Sequence, residues 1–283
     1  MKRFLKKHWL TIVIGLVFIV GLAILIYPAV SDYFISRAQS RVVATYREAV
    51  ERLNPIDIDG MVEAAHEYNE RLLTKIYRYA LSEEELEEYY SMLRVDESRT
   101  GPSVIGSLEI DFLNILLPIY HGTSEEVLNI AAGHFEGTSL PVGGPATHSV
   151  ITGHTGLPSS KLLTDIDRME IGDVFTVHVL NETLSYMVDR LVIVDPGDFG
   201  PLDIEPGMDY CTLLTCYPYG VNSHRLLVRG VRITPEEAAV AVRRVIPTEA
   251  IKIGEGFAAL FVVTPVLIIL IVVKFILYLR KSR

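Results

Sequence analysis

The sequence has few cysteines and fewer basic than acidic residues. Its 283 residues contain two cysteines, and 26 basic residues stand against 35 acidic ones, a formal net charge of −9. That balance excludes a typical nucleic-acid-binding protein, whose affinity depends on lysine and arginine. No internal repeat or low-complexity tract is present. With 49% hydrophobic residues and a mean hydropathy of +0.31, the chain is too apolar to be disordered.

Two long hydrophobic runs bracket the chain. Residues 9–30 hold no charged side chain, and these 22 residues would span about 33 Å as a helix. Residues 257–279 form a second run, interrupted only by Lys274. Basic residues cluster outside both runs, at 2–7 and 280–283. By the positive-inside rule, we expect a multi-pass protein of the cell membrane with both termini in the cytoplasm.

The segment between the two runs is therefore expected outside the cell. Eight basic residues lie in the two end segments, so residues 31–256 carry 18 against all 35 acidic ones, a formal net charge of −17. The alternative interpretation of the first run is a cleaved signal peptide. Its length, and the lack of a clear small-x-small cleavage site after it, favour an uncleaved anchor.

Patterns along the chain divide it into five parts. We expect a basic tip and transmembrane helix at 1–30, a helical arm at 31–105, a catalytic domain at 106–246, a linker at 247–256, and a second transmembrane helix with a basic tail at 257–283. In the arm, apolar residues recur at helical spacing on both sides of Pro55. The arm serves either as a membrane-proximal stalk or regulatory element, or simply as packing for the next domain.

Residues 106–246 have the pattern of a mainly β domain. Alternating and β-branched runs predict strands at 107–110, 148–151, 174–180, 183–194, 210–216 and 225–234. Three capping patterns predict short helices. Ser82 with Glu85 begins a helix in the arm, Thr123 with Glu126 begins one that ends by Gly133, and Thr234 with Pro235 and Glu237 begins one that ends before Pro247.

The two cysteines lie in one predicted strand. Five strand steps separate Cys211 from Cys216 by roughly 16 Å, whereas a disulfide needs less than about 7 Å between Cα atoms. The odd offset also sends the two side chains to opposite faces. We therefore expect at least one free thiol outside the cell, with one cysteine in the core and the other lining a cleft.

A histidine and an arginine are candidates to act with such a thiol. His154 follows an apolar run and lies between Gly153 and Gly156, as expected of a loop at the end of a strand. Arg225 comes early in the strand after Cys216, where a fixed cation could face the sulfur. Alternation then turns His224 away, which argues against it as the base. The histidines lack close ligand spacing, so we expect no catalytic metal and no cofactor.

Together these motifs resemble the sortases, membrane-anchored cysteine transpeptidases of Gram-positive bacteria. The resemblance lies in the sequence Thr-Leu-Leu-Thr-Cys at 212–216, an arginine nine residues later, and Gly-His-Thr-Gly at 153–156. The segments 137–144 and 222–230, with the C-terminal hydrophobic run, are similar to class C, the pilus-polymerising sortases.

The resemblance implies a closed eight-stranded sortase-type β-barrel, with N-terminal amphipathic helices and two flanking transmembrane helices. Cys216 would attack the threonine carbonyl of a Leu-Pro-x-Thr-Gly-type signal, His154 would transfer protons, and Arg225 would hold the oxyanion. The implied partners are pilin or surface-protein substrates with C-terminal sorting signals, and a lysine amine as acceptor. Two interpretations of Thr215 stay open: a contact to substrate, or an ordinary strand residue.

One departure from the class concerns a lid. Many class C sortases carry an Asp-Pro-aromatic motif before the barrel, but Asp96 is followed by Glu97 and Ser98. We therefore expect Asp96→Ala to leave peptide cleavage nearly unchanged. Three alternative functions remain open: a sortase that attaches proteins to cell-wall peptide, a hydrolytic Cys/His peptidase, and a non-catalytic membrane-anchored scaffold.

Overall fold

A long helix leads into the folded domain. The computed structural model describes residues 2–75, 78–95, 102–157 and 160–241, and its first element is helix α1 (Lys2–Glu51). Among the described residues, α1 is the one helix long and apolar enough to cross a membrane. The transmembrane run and the first part of the arm, expected as separate elements, form one continuous helix. The predicted linker at 247–256, the second hydrophobic run and Asp96 lie outside the described residues.

Two shorter helices complete the arm and pack on the rest of the domain. Helix α2 (Pro55–Leu72) begins at the predicted proline, with Asn54 as its N-cap. Helix α3 (Glu83–Ser91) begins with the predicted capping box between Ser82 and Glu85. The one buried residue of α3 is Tyr89, whose hydroxyl contacts Nδ1 of His134 at 3.0 Å. The arm is thus in direct contact with the β domain.

The β domain is a closed barrel of eight strands. The strands are β1 (Val104–Ile110), β2 (Ile115–His121), β3 (Ala132–His134), β4 (Thr147–Thr152), β5 (Val174–Val179), β6 (Glu182–Val194), β7 (Asp209–Tyr217) and β8 (His224–Arg232). Around the barrel the order is β1-β2-β3-β4-β7-β8-β6-β5. The pairs β2–β3 and β4–β7 are parallel, and the others are antiparallel. The expected eight-stranded barrel is confirmed.

Alternation along each strand fills the barrel interior. On β7 the inward side chains of Cys211, Leu213 and Thr215 are buried, and Val228 of β8 is fully buried beside Leu213. Gly230 is required here, because a Cβ atom would lie 2.7 Å from the ring of Phe175. The interior is therefore a packed core, and any site for a substrate must lie on the outer face.

The structure differs from the sequence analysis in two strands and in the cap of one helix. Strands β2 and β3 were not predicted: β2 contains Pro118, and β3 has only three residues. Strand β3 pairs with β2 from Ile119 onward, so Pro118 lies beyond that pairing, where a strand tolerates proline.

One helix prediction also needs correction. Helix α4 (Glu125–Leu128) is capped by Ser124, because the side chain of Thr123 instead donates to Glu136. Helix α5 (Pro235–Val240) has the predicted cap at Thr234 and ends before Pro247, as predicted.

Candidate active site

Cys216 lies near the end of β7 on the outer face of the barrel. It is half-buried, whereas Cys211 on the same strand is fully inside. Both thiols are free, as predicted from their spacing. Burial, together with the negative charge of Asp209, raises the pKa of the Cys211 thiol well above its ordinary value. Cys216 is therefore the accessible thiol of the pair.

Arg225 is the direct cross-strand neighbour of Cys216. The antiparallel register of β7 and β8 pairs the two residues, so their side chains project from the same face. The guanidinium Nη1 donates to the backbone oxygens of His224 at 3.0 Å and Asn222 at 3.3 Å. The imidazole of His224 is exposed, and its Nε2 lies 3.8 Å from Asp195. The sequence analysis expected this separation of Arg225 and His224.

His154 lies on the opposite side of Cys216. Strand β4 runs parallel to β7 and pairs Thr152 with Leu214. Beyond the last paired residue, the amide of Gly153 donates to the oxygen of Leu214 at 3.2 Å. The oxygen of Gly153 accepts from the hydroxyl of Thr215, so the residue before His154 contacts the residue before Cys216. The loop of His154 therefore adjoins the end of β7 that carries Cys216, and Arg225 flanks Cys216 from β8.

Close backbone approaches fix the loop that carries His154. A Cβ atom on Gly153 would lie 2.8 Å from the side chain of Leu163, whose amide donates to the oxygen of His154 at 3.2 Å. Gly156 has a φ of +77°, and its Cα faces the ring of Tyr219. The glycines on both sides of His154 thus permit contacts that a larger residue would prevent.

Thr215 supports the same loop from inside the barrel. Its hydroxyl donates to the oxygen of Gly153 at 2.8 Å, and its side chain is buried on the face opposite to Cys216. This contact links the residue before the thiol to the residue before the histidine. A direct contact of Thr215 with substrate stays a prediction.

The side chains of the three candidates, Cys216, His154 and Arg225, make no hydrogen bonds with one another among the described residues. Such bonds often form only when substrate is bound. Within the same described ranges, no group of three metal-ligating side chains occurs.

An apolar surface adjoins the thiol on the outer face. Leu214 lies two residues before Cys216 on β7, on the same face of the strand. It pairs with Leu227 of β8, which in turn pairs with Val192 of β6. Leu214, Val192 and Phe135 are partly buried and pack against a buried cluster that includes Leu227. Leu202, from the loop between β6 and β7, is buried in the same cluster. The thiol therefore lies at the end of an apolar strip bordered by this loop.

A buried histidine holds that loop in place, a feature the sequence analysis missed. Nδ1 of His148 donates to the oxygen of Asp203 at 3.0 Å, so Nε2 is left to accept from the hydroxyl of Thr212 at 2.7 Å. Burial lowers the pKa of His148 to about 4, which keeps the ring neutral. Arg78 forms an ion pair with Asp203 from the other side. The one feature of the sequence that could have indicated this role is the presence of a histidine within a predicted strand.

Known proteins resemble this chain in sequence and in fold. A model of the sortase domain matches residues 108–233. Sortase C1 of Streptococcus agalactiae is 44% identical, with a TM-score of 0.64, over 69% of this chain and 98% of that one. Sortase C of Streptococcus pneumoniae is 43% identical, with a TM-score of 0.61, over 69% and 97%. The chain belongs to the sortase family.

Further similarities refine that assignment. A structure of Clostridium perfringens sortase C with the C-terminal cell wall sorting motif is 40% identical, with a TM-score of 0.60, over 69% of this chain and 99% of that one. Sortase D of Bacillus subtilis is 26% identical over 132 residues, which are 46% of this chain and 64% of that relative. Within the sortase family, the chain is a class C sortase.

Proposed function

We propose that the protein is a membrane-anchored cysteine transpeptidase that cleaves a Leu-Pro-x-Thr-Gly-type signal between threonine and glycine. It then joins the threonine to a lysine amine of a pilin subunit. The observation that carries this proposal is the register that pairs Cys216 with Arg225, next to the loop of His154 that contacts the end of β7. A thiol between a proton donor and a fixed cation has what acyl transfer requires.

The first half-reaction forms a thioester. The Cys216 sulfur attacks the threonine carbonyl carbon, and Arg225 donates hydrogen bonds to the oxyanion that develops. As the tetrahedral intermediate collapses, the C–N bond to glycine breaks and His154 gives its proton to the departing amine. The products are an acyl-enzyme and a released peptide beginning with glycine.

The second half-reaction transfers the acyl group. His154, now neutral, accepts a proton from the incoming lysine amine as the nitrogen attacks the thioester carbonyl. Collapse of this second intermediate breaks the C–S bond and releases Cys216 as a thiolate. The new bond is an isopeptide bond, and the protonation states of the starting enzyme are restored.

Substrate choice is supported by the surface beside the thiol. The strip formed by Leu214, Val192 and Phe135 suits an apolar leucine-proline pair bound upstream of the cleaved bond. The Clostridium perfringens relative was solved with a C-terminal cell wall sorting motif, and the pneumococcal work concerns pilin substrate specificity. Both favour a sorting signal as donor and a pilin as partner.

Membrane attachment is part of the proposal. Helix α1 supplies one apolar segment, and its exposed side chains at residues 13–30 have the composition of a lipid-facing helix. We place the catalytic domain, residues 106–246, on the extracellular side, with 257–283 as a second span and both termini in the cytoplasm. The distribution of basic residues supports this topology.

Product analysis separates the competing functions. The full-length protein in detergent receives a fluorescent sorting peptide together with a pilin domain, a cell-wall peptide amine, or neither. We expect an amide to the pilin lysine as the main product. A preference for the wall amine would indicate surface-protein anchoring, and hydrolysis alone would indicate a peptidase.

The control variants test whether the protein is an enzyme at all. Cys216→Ala should abolish every product, whereas Cys211→Ala should retain them. Equal signals from wild type and Cys216→Ala would favour a non-catalytic scaffold and overturn the proposal.

A further inference from the structure

A stripe of buried residues ties helix α1 to the barrel. Gln39, Val43, Tyr46 and Val50 recur on one face of the helix and are each at most 6% exposed. Three polar contacts reinforce that face at intervals of seven residues. Asp32, Gln39 and Tyr46 make them, and we call these three residues the docking stripe.

Each member of the docking stripe bonds to backbone of the β domain. The Asp32 carboxylate accepts from the amide of Lys161 at 2.7 Å, and Gln39 donates to the oxygen of Ile130 at 2.7 Å. The Tyr46 hydroxyl donates to the oxygen of Ile105 and accepts from the amide of Leu180, both at 2.9 Å. Backbone partners on several elements make this a fixed arrangement.

The stripe begins where the apolar run ends. Residues 13–30 are mainly exposed, and Asp32, two residues beyond Val30, makes the first hydrogen bond to the barrel among the described residues of the helix. Along a helix, two residues advance by about 3 Å. The barrel therefore lies against the helix down to the level at which the helix would leave the hydrocarbon.

The contact of Asp32 also leads directly to the candidate active site. Lys161 is two residues before Leu163, whose amide donates to the oxygen of His154 at 3.2 Å. Two Cα steps cover less than about 8 Å, and each hydrogen-bonded link adds about 6 to 7 Å. With one more strand spacing of about 5 Å, this path from Asp32 to Cys216 is about 25 to 27 Å long.

We infer that the docking stripe sets the height of the active site above the bilayer, so that α1 acts as a molecular ruler, and that its substrates are proteins held in the same membrane by a hydrophobic segment of their own. A substrate spacer of about eight extended residues covers about 25 Å. A substrate therefore needs only about eight residues between its own membrane segment and its scissile bond to reach the active site. This inference rests on the proposed transpeptidase function and adds a spacer-length preference to it.

Raising the barrel tests the ruler. A seven-residue Ala/Glu/Lys helical insert between residues 30 and 31 lifts the domain by about 10 Å and nearly preserves the helix face. The matched control places the same insert between residues 1 and 2, which leaves the height unchanged. Both full-length variants and wild type are reconstituted in vesicles with substrates whose sorting motif lies 8 or 16 residues from a transmembrane helix.

The expected result is a selective loss. The raised variant should cleave the 8-residue substrate at least about tenfold more slowly than the control, and the 16-residue substrate within about threefold of it. All three proteins should cleave a soluble sorting peptide equally. Equal rates on both tethered substrates, with soluble cleavage intact, would overturn the inference. Failure of wild type on the soluble peptide would instead overturn the proposed function.

A point substitution tests the contact nearest the membrane. Asp32→Asn keeps a side-chain oxygen that accepts from Lys161, whereas Asp32→Leu removes it. Asp32→Leu should lower the ratio of tethered to soluble cleavage about threefold, and Asp32→Asn should leave it unchanged. Asp32 is a positioning residue in this scheme, so a fall in both rates together, or an unchanged ratio in Asp32→Leu, would contradict it.

Discussion

The two cysteines of β7 have the same chemistry and opposite surroundings. Cys211 points into the barrel, where burial and Asp209 raise its thiol pKa. Cys216, five residues along, points outward between Arg225 and the loop of His154. The strand alternation alone separates a packing residue from a candidate nucleophile. Reactivity is therefore assigned by the face of the strand and by the neighbours on that face.

The largest difference between the two cysteines should appear in turnover. Cys216→Ala removes the attacking atom, so peptide cleavage should fall by at least about 10³-fold. Cys211→Ala removes only packing and should cost about 1 to 2 kcal/mol in the free energy of unfolding. Steady-state cleavage and urea denaturation of both variants measure these effects. Loss of turnover in a folded Cys211→Ala variant would contradict the assignment of Cys211 as a packing residue.

Thiol labelling should distinguish the same residues without mutation. A bulky maleimide added to the native protein should modify Cys216 at least about 10²-fold faster than Cys211, because a buried thiol reacts only when the barrel opens. Peptide-level mass spectrometry over time gives both rates. In denaturant the two rates should converge, and similar rates in the native protein would refute the difference in access.

Two arginines on β8 extend the comparison to the neighbouring strand. Arg225 and Arg229 share a face, but Arg225 pairs with Cys216 while Arg229 forms ion pairs with Asp189 and Glu205. Arg225→Lys loses the planar pair of donors, so kcat should fall about 10²-fold. Arg229→Lys should lower stability and leave kcat within about threefold. Stopped-flow cleavage measures kcat, and parallel thermal melts measure stability. A large fall in kcat for Arg229→Lys with little change for Arg225→Lys would contradict these roles.

The outer face also depends on a loop held by a histidine that titrates. His148 has a folded-state pKa of about 4, below the ordinary value of 6.5. Between these values the unfolded chain binds a proton that the folded chain does not, so stability falls as pH decreases from 6.5 to 4. The contribution is about 3 kcal/mol. His148→Gln should flatten this dependence in urea titrations at several pH values, and an unchanged slope would contradict the assignment.

These differences also show how far the sequence was informative. The pairing of Cys216 with Arg225 followed from a short turn between two strands, and the separation of the cysteines followed from an odd offset. The glycines around His154 made it a candidate, but the contact of its loop with β7 depends on a parallel pairing between distant segments that no local pattern predicts. The hydrogen bonds by which His148 holds the loop between β6 and β7, and the proline-containing strand β2, depend on tertiary contacts that no local pattern encodes.

The central claim is that Cys216, and not Cys211, becomes acylated by the sorting signal. The most direct measurement mixes wild-type protein with a sorting peptide, quenches in acid within milliseconds to seconds, and locates the adduct by tandem mass spectrometry. We predict a thioester carrying the peptide up to its threonine on Cys216, which disappears when a lysine amine is added before the quench. An adduct on Cys211, or cleavage without any thioester, would contradict the claim.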